Sequence, residues 1–203
     1  MTTALLILAG YVLGSMPWGY WLVRLVKLDD IRRHGSGNIG GTNVWRAYGW
    51  RLGLPVVLLD TAKGFAPALV ATLAVSHLAG VLAGAAAMLG HWRPLFLKWQ
   101  QGGKMVATCG GAFLGVAPVV GGIGAAVWIA VFLLLRYASL ASMLAALSLP
   151  VVAALLGEPW PVIAFGAAAA IAVLVLHRPN IARLRSGTES RFRFRKLRGE
   201  PLT

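Results

Sequence analysis

Acidic residues are scarce in this chain: Asp and Glu number 6 among 203 residues, against 19 Lys and Arg, and only 12% of the sequence is charged. Soluble domains have about a quarter of their residues charged, so a soluble globular class is excluded. Cysteine is rarer still. The single Cys109 excludes an intrachain disulfide framework and any multi-cysteine metal site, and it reads as a small buried apolar side chain. His34, His77, His91 and His177 show no H-E-x-x-H or comparable spacing, so neither a metal nor another cofactor is expected. The chain has no G-x-S-x-G turn, no dinucleotide glycine fingerprint and no Walker ending of Gly-Lys-Ser/Thr.

What is present is apolar length. Hydrophobic residues make up 58% of the chain, and mean hydropathy is +0.74. Apolar runs lie near 3–25, 52–76, 78–92, 119–135, 139–156 and 160–176. Each approaches the length of about 20 residues that crosses hydrocarbon. The first run lacks a basic leader and exceeds a signal-peptide core, so it reads as a retained span. A further run, 106–118, is too short to cross independently and is expected as a short helix shielded by its neighbours.

Charge placement sets the expected topology. With the N-terminus outside and seven crossings, the inner segments hold 24–51, 93–104, Arg136 and the tail from Arg178; every basic residue except Lys63 falls there. An even number of crossings would place the basic tail outside, against the positive-inside bias. The expectation is an all-α integral membrane protein with seven transmembrane helices, some short, and a cytoplasmic C-terminus. It is read as a single polytopic domain over 1–203 with a basic tail at 178–203. The net charge of +13 then points to membrane lipids and phosphorylated substrates, not to nucleic acid. No internal repeat supports an inverted-duplication transporter. Arg191 to Arg198 read as a headgroup anchor, worth about 1 kcal/mol per basic residue.

Three polar clusters share the inner face: "GSGNIGGTNVWR", "GHWRPLFLKWQQGGK" and "HRPNIARLRSGTE". In the first, Gly35, Gly37, Gly40 and Gly41 let backbone N–H groups approach a ligand as phosphate nests require. Ser36, Asn38, Thr42 and Asn43 add neutral polar groups, and Arg46 adds a planar fork suited to phosphate. Arg32, Arg33 and Arg51 are expected to hold the loop against lipid headgroups. In the second, Gly102 and Gly103 precede Lys104 at the start of the short apolar run, where a helix N-terminus adds partial positive charge. In the third, His177 and Asn180 converge if the helix persists past Pro179. Asp60 and Lys63 lie three residues apart on one face of the second span and are expected as an ion pair turned into the bundle. Glu189 is expected to brace the tail by pairing with an arginine. No His is followed five residues later by Asp, so the His-x-x-x-x-Asp arrangement of acyl-CoA-dependent acyltransferases is absent.

Taken in order, "GSMPWGYWLVRL", "GSGNIGGTNVWRAYG", "LLDTAKG", "GGKMVAT", "RYASLAS" and "HRPNIARLRSGTE" resemble the bacterial acyl-phosphate:glycerol-3-phosphate acyltransferase family, PlsY type, over nearly the whole chain. One motif departs from that pattern. Where the family usually has "F-K-G-G-K-G", this chain reads "WQQGGKM"; the segment is one residue longer after Pro94, lacks the first lysine and carries Met105 for the last glycine.

The resemblance implies a seven-span enzyme of the bacterial cell inner membrane with its site on the cytoplasmic side. It implies transfer of a fatty acyl group from acyl phosphate to glycerol 3-phosphate, giving lysophosphatidate and inorganic phosphate. Acyl phosphate is already activated, so the protein needs no nucleophile and must instead align two repelling phosphates. At an effective dielectric near 20, a cation about 4 Å from a phosphate charge contributes roughly 4 kcal/mol before desolvation. Arg46 and Lys104 are assigned to phosphate binding, Ser36 and Asn38 to orienting the acceptor, Thr42 and Asn43 to shaping the loop, and His177 and Asn180 to positioning a phosphate or the reacting hydroxyl. The competing reading is a membrane transporter or channel for phosphorylated anions. The cation-free outer loops argue against it.

Overall fold

The computed structural model describes residues 1–192, and the described residues hold ten α-helices and no strand. These are α1 (Thr2–Gly14), α2 (Trp18–Lys27), α3 (Gly41–Tyr48), α4 (Trp50–Ala74), α5 (His77–Trp92), α6 (Val106–Val116), α7 (Pro118–Leu135), α8 (Ala138–Leu155), α9 (Trp160–Leu176) and α10 (Arg178–Arg185). Arg193 to Arg198 of the expected headgroup anchor lie outside the described residues.

Four segments are long and apolar enough to cross a membrane: 2–27, α4, α7 and α8; α9 with α10 makes a fifth if the bent pair counts as one span. At 16 and 11 residues, α5 and α6 are shorter than a full crossing. The segment expected as a shielded short helix is α6, and it buries Thr108, Cys109, Gly111, Ala112, Phe113, Gly115 and Val116.

Small residues set the packing. A Cβ at Gly14 would fall 2.1 Å from the Ala87 carbonyl oxygen, which brings α1 directly against the α5 backbone. Likewise, Gly64 and Gly111 let α4 and α6 approach reciprocally: a Cβ at Gly64 would fall 2.0 Å from Thr108 O, and one at Gly111 1.9 Å from Thr61 O. In lipid, tails are as apolar as the side chains, so such close backbone contact is a principal source of helix association. Phe113 of α6 stacks on Phe165 of α9 at 4.9 Å, within a core that also holds Val120 and Val162.

Proline shapes two helix ends that matter for the site. Pro17 interrupts the first span, since its ring and missing N–H cannot continue a helix, and the Met16 carbonyl accepts a 2.8 Å hydrogen bond from Lys63 Nζ. At the other end, α9 stops at Leu176 and α10 leaves at 60°, with Pro179 in its first turn. The break therefore falls at His177, α10 continues through Pro179 in the new direction, and Asn180 reaches the site by way of this bend.

Candidate active site

The glycine-rich first loop is organised around Asn43. This buried amide donates to His34 O at 3.0 Å and Asn38 O at 2.8 Å, and its Oδ1 accepts from the Ser36 N–H at 3.1 Å. Gly35 adopts φ +56°, a left-handed conformation that costs glycine nothing, and a Cβ there would meet Asn43 Oδ1 at 2.4 Å. Asn43 thus holds the loop's shape with groups that are no longer free for substrate. The Ser36 and Thr42 hydroxyls, by contrast, make no hydrogen bond among the described residues. Asn38 links two loops: its Oδ1 accepts from Gly40 N–H at 2.8 Å, and its Nδ2 donates to Gly102 O at 3.4 Å.

Arg32, expected against the lipid headgroups, is also engaged within the protein. Its guanidinium pairs with Asp30 at 2.6 Å, donates to Gln100 at 2.9 Å and lies 4.7 Å from the Tyr20 ring centroid. The departing "WQQ" segment is therefore tied to the first loop through its own Gln100. Asp29 closes the far side of that loop, accepting from Tyr48 OH at 2.6 Å and meeting His34 Nε2 at 2.8 Å.

The second loop returns to the end of α5: Gly102 N–H donates to Trp92 O at 2.8 Å and Gly103 N–H to His91 O at 2.9 Å. Lys104 follows, one residue before the Met105 cap of α6. Its ammonium donates to Asn180 Oδ1. Asn180 Nδ2 donates to Glu189 Oε1 at 2.8 Å, and the same carboxylate accepts from Ser139 at 2.6 Å and Arg183 at 2.7 Å. Glu189 thereby pairs with an arginine, as expected. Across the site, Arg46 donates to Ser190 O at 3.0 Å, next to Glu189, and its guanidinium lies 5.7 Å from the Phe192 ring.

Three cations, Arg46, Lys104 and Arg183, thus surround one carboxylate, Glu189. Burial, followed by the charge of Arg183, pushes the Lys104 ammonium below its ordinary value; Glu189 partly offsets this, and Arg46 adds to it. Burial also raises the Glu189 carboxyl, but hydrogen bonds from Ser139, Asn180 and Arg183 outweigh it and leave the group below the usual carboxylate range. His177 sits at the bend, just past the last span, buried at 3% exposure. Its Nδ1 lies 2.8 Å from Val173 O, a carbonyl that can only accept, so Nδ1 carries the proton and Nε2 keeps its lone pair. Burial, then the Lys104 charge, lowers this imidazole to about 4, so it is neutral near pH 7.

Lys104 and Asn180 are thus in contact, with His177 close enough to feel the ammonium charge. Arg46 reaches the same region from α3. Ser36 and Gly37 lie on the first loop and Thr42 in the first turn of α3, and Asn38 links that loop to the second through Gly102. Asp60 and Lys63 form a buried ion pair at 2.8 Å. Sequence reasoning missed Ser139 and Arg183. Arg183 falls three positions after Asn180 and so shares its helix face, which was a readable signal; nothing in "RYASLAS" singles out Ser139.

An all-helical integral membrane protein that gathers surplus cations at one end of its bundle is suited to a phosphorylated ligand at a membrane surface. The sequence profile described as glycerol-3-phosphate acyltransferase matches residues 4–187, and the chain belongs to that family. A glycerol-3-phosphate acyltransferase of Desulforudis audaxviator is 47% identical, over 97% of this chain and 98% of the relative; one of Sinorhizobium medicae is 46% identical, over 90% and 88%. Two crystal structures of PlsY, an integral membrane glycerol 3-phosphate acyltransferase, share the fold. The glycerol 3-phosphate form has a TM-score of 0.91 and 38% identity, and the lysophosphatidic acid form 0.88 and 36%; each comparison covers 95% of this chain and 96% of the other.

Proposed function

We propose that this chain transfers a fatty acyl group from acyl phosphate to glycerol 3-phosphate, releasing lysophosphatidate and inorganic phosphate. The observation that carries the reading is the Lys104–Asn180–Glu189 hydrogen-bond chain, with Arg46 and Arg183 beside it. More positive than negative charge is held in fixed positions there, as two phosphates in one site require. The relatives named as acyltransferases, and the PlsY forms named for glycerol 3-phosphate and lysophosphatidic acid, support the acceptor and the product.

In this mechanism Arg46 and Lys104 bind phosphate and stabilise charge that develops on the acyl carbonyl oxygen. Ser36 offers a hydroxyl from the first loop and Thr42 one from the start of α3, neither hydrogen-bonded among the described residues, while Gly35 and Gly37 take the left-handed turns of the first loop and Gly102 and Gly103 let the second loop lie against the end of α5. Asn38 and Asn43 fix the loop. Asn180 and Glu189 aim the Lys104 ammonium, and neutral His177 presents Nε2 as an acceptor. The acceptor hydroxyl oxygen bonds to the acyl carbon, the carbon–oxygen bond to phosphate breaks, and the hydroxyl proton passes to the departing phosphate or to His177 Nε2. No covalent enzyme intermediate is needed.

Residues 2–27, α4, α5, α6, α7, α8 and α9 make the seven crossings in this reading, with α5 and α6 shielded by their neighbours. The positive-inside bias puts the N-terminus outside and the site on the cytoplasmic side of a bacterial inner membrane. The whole chain acts as one polytopic domain.

The test supplies purified protein with glycerol 3-phosphate and either acyl phosphate or acyl-CoA, and follows lysophosphatidate and phosphate release. Product from acyl phosphate alone is expected. Product from acyl-CoA alone overturns the donor assignment; no product from either, with folded protein, overturns the enzymatic reading.

A further inference from the structure

Beneath the second loop runs a chain of buried polar contacts that the mechanism above does not use. Lys63 Nζ lies 2.8 Å from Asp60 Oδ1, and His91 Nδ1 lies 3.6 Å from the same oxygen, with all three side chains 3–4% exposed. Charges at membrane depth cost several kcal/mol unless paired, so a cluster of this kind calls for a reason. The reason lies on the opposite edge of the imidazole. His91 packs so closely on Gly103 that a Cβ there would fall 1.8 Å from Nε2 and 2.3 Å from Cε1. The backbone repeats the contact, since Gly103 N–H donates to His91 O at 2.9 Å.

The loop needs outside support. Lys98, Trp99 and Met105 all sit at positive φ, a conformation that surrounding structure must hold in place. Met16, on the broken first span, ties down the far end of the chain of contacts by accepting from Lys63 at 2.8 Å.

We propose that His91 is a positioning residue for Lys104. Its imidazole, whose Nδ1 stands 3.6 Å from Asp60 Oδ1 beside the Asp60–Lys63 pair, forms the floor on which Gly103 rests and sets the height at which the Lys104 ammonium meets Asn180 and the substrate phosphate. This role rests on the reading of Lys104 as a phosphate-binding cation.

The experiment compares His91→Ala, Gly103→Ala, their double variant and Lys104→Ala in the purified full-length protein. It measures kcat, KM for both substrates, inhibition by inorganic phosphate and thermal unfolding. A displacement of about 1 Å costs on the order of 100-fold in rate, so Gly103→Ala is expected to lower kcat/KM by about 100-fold and His91→Ala by about 10-fold. Phosphate inhibition is expected to weaken in parallel. With the ring removed, the added methyl has space, and Gly103→Ala in the His91→Ala background is expected to cost less than about 3-fold. Equal cost in both backgrounds, or unchanged kcat/KM in His91→Ala, overturns the positioning role while leaving Lys104 assigned. Changes in the unfolding midpoint without changes in kcat/KM do the same. Full activity in Lys104→Ala overturns the phosphate-site reading, and the role of His91 with it. Should His91→Ala not fold, His91→Gln, which keeps a polar side chain toward Asp60, carries the same comparison.

Discussion

The Lys104 ammonium donates a hydrogen bond to the Asn180 side-chain oxygen, joining residues 76 positions apart. Asn180 passes its own N–H to Glu189, so the cation is aimed by a neutral amide and is not neutralised by direct contact with a carboxylate. Lys104→Ala is expected to lower kcat/KM by about 100- to 1,000-fold, the usual loss for one preorganised electrostatic donor. Lys104→Arg is not expected to restore it, because a planar fork cannot replace a compact ammonium at this contact. Initial rates of lysophosphatidate formation check both.

The pH response separates His177 from Glu189. His177 is lowered from 6.5 to about 4 in the fold, so the unfolded chain binds the extra proton first and stability is lost as pH falls from 6.5 toward 4. Glu189 is depressed from 4.5, so its contribution is fully present above that value and is lost as pH falls through its lower folded value. Thermal midpoints measured between about pH 7 and 3 are expected to decline in two stages. His177→Ala is expected to shrink the upper stage and Glu189→Gln the lower, to which Asp29 and Asp30, held below the usual carboxylate range by hydrogen bonds from Tyr48 and Arg32, also contribute. In wild-type enzyme, the activity limb due to His177 is expected near pH 4.

Breaking the intramembrane ion pair from one side is expected to be worse than removing it. Lys63→Met leaves Asp60 buried without its cation and is expected to cost about 3–5 kcal/mol, whereas Asp60→Leu combined with Lys63→Met recovers most of that loss. Denaturant unfolding in one detergent checks the order.

Met105 occupies φ 67°, ψ −10°, at 4% exposure. Its left-handed backbone costs a non-glycine residue about 1–2 kcal/mol, while truncating a buried Met to Ala costs about 2–5 kcal/mol. Met105→Ala loses the side chain and keeps the strain; Met105→Gly loses both. Both variants are expected to be less stable than wild type, with the glycine variant the more stable of the two by about 1 kcal/mol. Thermal unfolding of the pair decides it.

The sequence made the apolar spans, the shielded α6, the Asp60–Lys63 pair and the three polar clusters legible, because each rests on local composition or on spacing along one helix. Contacts across the bundle were not legible. Ser139 reaches Glu189 because α8 packs beside the turn after α10, and the Arg32 contact with Gln100 joins residues 68 positions apart. Asn43 is expected to shape the loop, yet the backbone groups it binds come within reach only once the loop is folded. The bend at His177 also escaped prediction, because Pro179 is compatible both with a kinked continuation and with a fresh first turn.

Glu189 braces the site from a segment that follows Arg46 and Lys104 in chain order, and this order has a consequence for biosynthesis. The chain emerges from its N-terminal end, so Arg46 and Lys104 are made before Asn180, Arg183 and Glu189. Until that last polar segment is released, the Lys104 ammonium lacks the groups that orient it. The nascent protein then holds the cations of its site but not their alignment, and competence arrives only once Glu189 has been made.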